Sequence, residues 1–558
     1  MQLAFLFHKA ICLVTSTMRL LLVVSTVLVL ILVRLSIPLV KLIGRLTGTS
    51  IRQRTASRRQ VLLSRVAADK KKYEGRREVS IDGMLQELDK EGSRTPEGSH
   101  QYYTGIIGFL HPFCNAGGGG ERVLWAAIRA TQQQYPDAVC AVYTGDKDVG
   151  KEQMLSRVKE RFNIDLYPPT IIFVYLTTRD YVLASAWPRF TLLGQSLGSL
   201  VMAWDAFHLL VPDIFIDTMG YAFTLALSKF LFPNVPTGAY VHYPTISTDM
   251  LASLDAEQED GHGVNAGTGR GTKGALKRRY WQWFAYLYGR VGGSVDVGMT
   301  NSSWTQSHIS QLWGSSRQKR KGKTTSPVSV VFPPVAVAEL VKDIPLAPES
   351  EKERQPVLLY IAQFRPEKNH TLVLKSFARF LKARSNTSSQ DPPKLLLIGS
   401  VRDATDEKYI YSLRLLAHEL QITNSVTFLL NAPWPSILQH LRTSSIGINA
   451  MWNEHFGIGV VEYQAAGLIS VVNDSGGPKE DIVVEIDGAP TGFHASTEEE
   501  YAAAFGKAIE LSVEEKVEMR VRARKSSQRF SGEVFDERWL EELKKLVWMA
   551  RPVGKKKQ

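Results

Sequence analysis

Cysteine is nearly absent: Cys12, Cys114 and Cys140 are the only three in 558 residues. An odd number without C-x-x-C spacing supports neither a disulfide framework nor a thiolate metal site. A secreted, disulfide-bonded enzyme is therefore excluded, and a reducing compartment fits. Acidic residues are missing up to Asp69, whereas ten basic residues precede it and four more fall in the last eight positions. Between Asp69 and Ala550 the chain carries 53 basic and 55 acidic residues, so the formal charge of +12 belongs to the two ends. Such a near-neutral body excludes a nucleic-acid-binding surface, which needs positive charge clustered on the fold itself. A long uncharged run is lacking too. Leu20–Val33 has 14 residues, short of the ~20 that span a bilayer.

Continuing through Leu35–Val40 extends that run to 21 residues, with Arg34 near enough to its end to snorkel to the interface. No small-x-small cleavage site follows, and basic residues do, which speaks against a cleaved signal peptide. Lys41 through Arg65 lie on the C-terminal side, so the positive-inside rule places the body in the cytosol behind a single-pass anchor. Residues 1–40 are thus expected to be a lumenal tip and anchor, and 41–100 a polar cytosolic stalk. Two later segments carry membrane character. Phe190–Trp204 is uncharged but too short to span, and Lys277–Arg290 sets basic residues among Trp281, Trp283, Phe284, Tyr286 and Tyr288. Each suits either a helix lying at an interface or a buried helix with an aromatic core face.

From Tyr103 onward, short β-rich runs alternate with helical stretches: TGIIGFL, AVCAVYT, TIIFVYL, PDIFID and TGAYVHY. The Gly-rich stretch 256–275 reads as a mobile insertion, and a Pro- and charge-rich stretch from Phe332 to Pro356 breaks the alternation. It restarts with VLLYIAQF, KLLLIGS, SVTFLL, SIGINAM and LISVVN. Alternation of this kind predicts parallel sheets covered by helices. The expected organisation is a Rossmann-like half over 101–335, a second over 336–525, and a C-terminal helix with a basic tail over 526–558. A cleft between the halves is where the strand-end loops would meet a ligand.

Three constellations carry chemistry. HPFCNAGGGGER, His111–Arg122, follows the first strand and opens a helix, so backbone at Gly118 and Gly119 can approach a ligand closely and the helix N-terminus favours an anion. Its third glycine position for dinucleotide binding is Arg122, which argues against a nucleotide-dependent oxidoreductase. FRPEKNH places Arg365 and Lys368 in one short loop, able to converge on one anion. NEHFGIGVVEYQAAG places Glu454 in a loop and Glu462 eight positions on, inside the following helix, with Phe456, Gly457, Ile458 and Gly459 at the helix start. Carboxylates suit vicinal hydroxyls because both oxygens accept hydrogen bonds.

Together with GAYVHYPTISTDML and TNSSWT, these motifs resemble the retaining GT-B enzymes of glycosyltransferase family 4, and among them the dolichol-pathway α-1,2-mannosyltransferases. The resemblance spans roughly Tyr103 to Lys545. It implies a GDP-mannose donor in the second half, a dolichyl-diphosphate-linked oligosaccharide acceptor in the first, and addition of its fourth and fifth mannoses with retention. Arg365 and Lys368 would meet the leaving diphosphate, Glu454 would orient the mannose, Glu462 would take the ribose, and His242 matches a position near the transferred sugar. It also implies the endoplasmic reticulum membrane, a cytosolic body, no required metal or other cofactor, and other mannosyltransferases of the pathway as potential partners. Asp146-Lys147-Asp148 has the form of a metal-binding Asp-x-Asp, but it lies in the half opposite the donor motifs and reads as a polar turn. A different GDP-mannose transferase of the same pathway and a non-catalytic membrane-anchored scaffold are the competing readings. The scaffold predicts a gap in the constellation, and none is seen.

Overall fold

The computed structural model describes residues 36–75, 102–254, 268, 271–319, 326–384 and 392–551. The first sheet contains β1 (Ile106–Leu110), β2 (Val139–Thr144), β3 (Ile171–Tyr175), β4 (Ile214–Asp217), β5 (Thr237–Val241), β6 (Val297–Thr300) and β7 (Ser329–Val330). The second contains β8 (Gln355–Ile361), β9 (Lys394–Gly399), β10 (Val426–Leu430), β11 (Ser444–Asn449) and β12 (Ile469–Asn473). After a small hairpin of β13 (Glu485–Ile486) and β14 (Ala489–Pro490), β15 (Gly492–Ala495) completes it. The orders are β3-β2-β1-β4-β5-β6-β7 and β10-β9-β8-β11-β12-β15, with every pair in both sheets parallel.

Both orders reverse direction once, between β1 and β4 and between β8 and β11. That is the doubly wound pattern, which opens a crevice at the carboxyl ends of the strands flanking the reversal. The reason lies in the strands: β1, β2, β11 and β12 are buried along their whole length. Strands buried on both faces in this way require helices on both sides of the sheet. β6, β7 and β15, at two to four residues each, were not among the strands expected from the sequence. Their side chains make too short a run to stand out from the flanking helices.

The halves are tied twice. The Pro-rich stretch after Phe332 is structured, with Val335, Val337 and Leu340 buried against the second half. The last helix, Gly532–Ala550, returns to the first half, where Phe535, Trp539, Leu543 and Leu546 join the core that contains Phe109. Trp539 Nε1 donates to Thr131 Oγ1 at 3.1 Å, and Arg129 pairs with Asp536 at 2.8 Å.

Residues 36–75 form one helix laid along the first half, of which 36–40 fall in the expected anchor and 41–75 in the expected polar stalk. Ile51, Thr55 and Val66 are buried. Gly48 packs so closely on the Leu231 carbonyl that a side chain would collide with it. The basic residues that made the segment look solvated are engaged. Arg58 donates to the carbonyls of His208 and Leu209, at 3.2 and 3.1 Å, on the negative end of helix Thr191–Leu209. Arg59 pairs with Asp213 at 2.6 Å, and Lys70 with Asp137 at 2.7 Å. Residues 1–35, which hold most of the expected anchor, lie outside the described residues, as do residues 76–101, most of the Gly-rich insertion and the basic tail. Among the described residues no helix is long and apolar enough to cross a membrane.

The two segments of membrane character are helices with one face in the core. Helix Thr191–Leu209 buries Gly194, Gly198 and Met202 and exposes Leu197, Val201 and Trp204. Helix Gly271–Gly292 buries Trp281, Phe284 and Tyr288 and exposes Leu276, Trp283 and Tyr286. Each therefore has the core face of the buried-helix alternative and leaves apolar residues exposed on its other side.

Candidate active site

A cavity of about 280 Å³ lies where the two crevices face each other. The first half contributes Gly119, Gly120, His242 and Asn301, and the second contributes Lys368, Asn449, Glu454 and the run His455 to Gly459. Gly118 stands behind this wall, its N–H donating to Glu121 Oε2 at 2.6 Å. The position of a Gly119 side chain is filled instead by Ile458 of the other half, 2.6 Å away at its Cδ1. Glycine there permits the two helix starts to meet. Behind the loop, His111 Nδ1 shares a hydrogen bond with Thr218 Oγ1 at 2.7 Å, and its Nε2 lies 3.8 Å from Glu121 Oε1. Burial pushes the Glu121 carboxyl up, but His111 and the backbone N–H groups of Glu121 and Gly118 together outweigh it and the net shift is downward.

His242 follows β5 and lines the cavity, with its ring 4.8 Å from that of Tyr240. Its Nε2 is buried without a hydrogen-bond partner among the described residues. Burial, reinforced by His111, brings its pKa down to about 4. The imidazole is therefore neutral near pH 7, a donor or acceptor facing the cavity rather than a cation.

The FRPEKNH loop is a short 3₁₀ turn, Pro366–Lys368, ended by Asn369 in a left-handed conformation (φ 53°) that caps helix His370–Ala383. Tyr360 holds it by donating to the Lys368 carbonyl at 2.5 Å. This aims Lys368 Nζ into the cavity, where it meets Glu454 Oε2 at 2.5 Å and Met451 Sδ at 3.2 Å. Arg365 does not line the cavity. Its Nη1 is 3.8 Å from Glu367 Oε1, and its Nε is buried without a partner among the described residues.

Glu454 follows β11. Burial pushes its carboxyl up, but the charges of Lys368 and then His455, with hydrogen bonds from Lys368 and Asn449, bring it below the usual range. Gly457, at φ 107°, turns the chain into helix Ile458–Ala466 with a conformation that disfavours any other residue. Phe456 to Gly459 at that helix start line the cavity, where the first N–H groups of a helix lack intrahelical partners. Glu462 sits half-buried on the same helix, beside the cavity-lining Tyr463. Burial pushes its carboxyl up to about 7, opposed by the charge of Arg122 from the other half.

Arg122 is a residue whose part the sequence did not disclose. It appeared only as the residue that spoils a dinucleotide motif, yet it is half-buried and feels the charges of Glu462 and Glu339 of the second half. Asn449, His455 and Tyr463 also face the cavity, and only proximity in the fold identifies them. Asp146 of the Asp-x-Asp is occupied structurally: its Oδ1 accepts from Arg179 at 2.5 Å and its Oδ2 from the Asn115 N–H at 3.0 Å.

Residues 104–313 match the family described as ALG11 mannosyltransferase N-terminus, and residues 343–530 match Glycosyl transferases group 1. The GDP-Man:Man(3)GlcNAc(2)-PP-Dol alpha-1,2-mannosyltransferase of Neurospora crassa is 58% identical to this chain, over 92% of it and 95% of the fungal protein. The Homo sapiens protein of that name is 44% identical, over 83% of this chain and 91% of its own. The chain belongs to this mannosyltransferase family.

As a member of that family it is a glycosyltransferase, and the two parallel-sheet domains are of GT-B type. The fold is shared with trehalose-6-phosphate synthase of Burkholderia multivorans, with a TM-score of 0.57 at 13% identity over 80% of this chain and 100% of the other. Anabaena HepE in complex with UDP and glucose aligns with a TM-score of 0.51 at 15% identity, over 78% and 99%. In this mannosyltransferase family member, the motifs that carried the resemblance converge on one cavity from both halves, except that Arg365, Glu462 and Gly118 stand just outside its lining.

Proposed function

We propose that this chain transfers mannose from GDP-mannose to a dolichyl-diphosphate-linked oligosaccharide, extending Man(3)GlcNAc(2) by two α-1,2-linked mannoses with retention of configuration. The observation that carries the reading is the meeting of Lys368 and Glu454 at the start of helix Ile458–Ala466, opposite His242 and Gly120. Breaking the sugar–phosphate bond leaves extra negative charge on the diphosphate. A fixed ammonium and a bare helix start stabilise that charge without having to reorganise. Arg365, three residues before Lys368, adds a second cation at the rim, so the leaving group needs no metal. Glu454 accepts hydrogen bonds from the mannose hydroxyls and Glu462 from the ribose. The acceptor hydroxyl enters from the first half, past Gly120 and His242.

The location proposed is the endoplasmic reticulum membrane with the body in the cytosol. The apolar run before residue 36 would insert, and the exposed apolar residues of the three helices on the first half would lie toward the interface. Digestion of the product with an α-1,2-specific exomannosidase tests the linkage. Release of the added mannoses is expected, and resistance to the enzyme would refute retention or the linkage assigned.

A further inference from the structure

Glu454 is held on both sides along the chain by the opposite half of the molecule. Its predecessor Asn453 donates from Nδ2 to Asp249 Oδ2 at 2.6 Å. Its successor His455 packs on Tyr243 with ring centroids 4.2 Å apart, and on Trp304 at 5.6 Å. Asp249, Tyr243 and Trp304 all belong to the first half, and Glu454 to the second. A further bond across the halves, Ser303 N–H to Asp481 Oδ2 at 2.9 Å, lies beside them.

Each side of this contact is braced. The Asp249 Oδ2 that accepts from Asn453 also accepts from Trp304 Nε1 at 3.3 Å and lies 3.4 Å from His308 Nε2. His308 is fixed in turn, with Nδ1 sharing a 2.6 Å bond with Thr248 Oγ1. The hydrogen bond from His308 outweighs burial and holds the Asp249 carboxyl below its usual range, so it accepts as an anion. On the other side, Asn453 adopts a left-handed conformation at φ 51°. Its N–H donates to Ser475 Oγ at 2.7 Å, and the Gly477 N–H donates to the Glu454 carbonyl at 2.8 Å. Little slack remains between the Asp249 carboxylate and the backbone of Glu454.

We propose that Asp249 is a positioning residue for sugar transfer: by gripping Asn453 across the cleft, it sets Glu454 at the transferred sugar only when the two halves are closed on each other. The first half, which receives the acceptor, would thereby control the orientation of the donor sugar in the second. The device rests on the reading of Glu454 as the carboxylate that orients the sugar. Asp249 makes no contact with the donor in this scheme. It acts through Asn453, so its loss should spare donor binding and slow the reaction.

The test uses the full chain in detergent with GDP-mannose and a synthetic three-mannose lipid-linked acceptor, comparing wild type with Asp249→Asn, Asp249→Ala, Asn453→Ala and the exchanged pair Asp249→Asn/Asn453→Asp. GDP binding by calorimetry verifies that the second half of each variant is folded. Loss of one charge-assisted hydrogen bond predicts a fall in kcat on the order of 10- to 100-fold for Asp249→Ala and Asn453→Ala. The KM for GDP-mannose should change less than about threefold in both, because differences confined to the transition state appear in kcat. The exchanged pair restores an amide–carboxylate bond of opposite polarity and should recover part of the loss shown by Asp249→Asn. Should Asp249→Ala fail to fold, Asn453→Ala and the exchanged pair carry the same comparison from the other side. Wild-type kcat in Asn453→Ala, or a loss expressed wholly in donor KM, would overturn the proposal while leaving the transferase reading intact. A wild-type chain that transfers no mannose would overturn both.

Discussion

Lys368 Nζ donates to Glu454 Oε2 at 2.5 Å, joining the loop after β8 to the loop after β11 across the reversal point of the second sheet. One residue comes from FRPEKNH and the other from NEHFG, 86 positions apart. Their contact places a fixed cation and a carboxylate at the base of a helix start. In the proposed mechanism that cation meets charge that develops only during reaction, so Lys368→Ala should lower kcat by about 10²–10³-fold and change donor KM far less. Glu462→Ala should do the reverse, raising donor KM with a smaller loss of turnover, because ribose is bound alike before and during transfer. Steady-state kinetics in GDP-mannose separate the two patterns. Equal losses of kcat with unchanged KM in both variants would undo the assignment of roles.

Glu462 also makes a pH prediction. With its carboxyl pushed up to about 7, acidification from pH 8 to 6 protonates it and removes an acceptor from the ribose hydroxyls. Donor KM should rise over that range in wild type and stay high and flat in Glu462→Gln. Stability moves in the opposite sense. Between its ordinary 4.5 and about 7 the folded chain binds more protons at Glu462 than the unfolded chain does. Stability from this group therefore falls as pH rises through that window. The Glu462→Gln variant should gain Tm at pH 8 relative to wild type, and gain less at pH 5. Equal Tm differences at both values would mean that Glu462 is not the group titrating.

Much of this site was legible in the sequence because its chemistry is local. GGGGER, FRPEKNH and the Glu454–Glu462 spacing each fall at one strand-to-helix connection, and the strands before them are wholly or mostly shielded from solvent. What the sequence hid is long-range. Nothing in the composition of residues 41–75 distinguishes a solvated stalk from a helix whose arginines bind carbonyls of His208 and Leu209. Arg122 gains its meaning only from Glu462 and Glu339 facing it, and Asp249 only from Asn453, 204 positions away.

A metal should be dispensable. Asp146 is bonded to Arg179 and to the backbone of Asn115, and the donor loops supply Lys368 and Arg365. Activity should persist in excess EDTA. Abolition by EDTA with restoration by manganese would contradict this and return attention to Asp146 and Asp148.

A cytosolic body predicts that none of the four N-x-S/T sequons, at Asn301, Asn369, Asn386 and Asn473, is used. Asn301 lines the cavity and is 5% exposed, and Asn473 is 5% exposed too, which leaves no room for a glycan at either. Asn369 caps helix His370–Ala383 directly after the cavity-lining Lys368, where a glycan would block the cavity, and Asn386 lies outside the described residues. Endoglycosidase should leave the mobility of the protein made in cells unchanged. The same preparation should float with liposomes after deletion of residues 1–35, because Leu197, Trp204, Trp283 and Tyr286 remain exposed on the first half. A glycan at any sequon would refute the cytosolic orientation. A truncated protein that stays wholly with the soluble fraction would refute the interfacial role of those helices.

The central claim is a choice of acceptor as well as of donor. Purified full-length protein should be incubated with GDP-mannose and synthetic lipid-linked acceptors carrying one to five mannoses, and the products resolved by mass. The account predicts that three- and four-mannose acceptors are both extended to five, and that shorter acceptors and the five-mannose acceptor are left unchanged. Extension of the one- or two-mannose acceptor instead would assign the chain to an earlier mannose addition, and no transfer to any acceptor would contradict the enzyme assigned here.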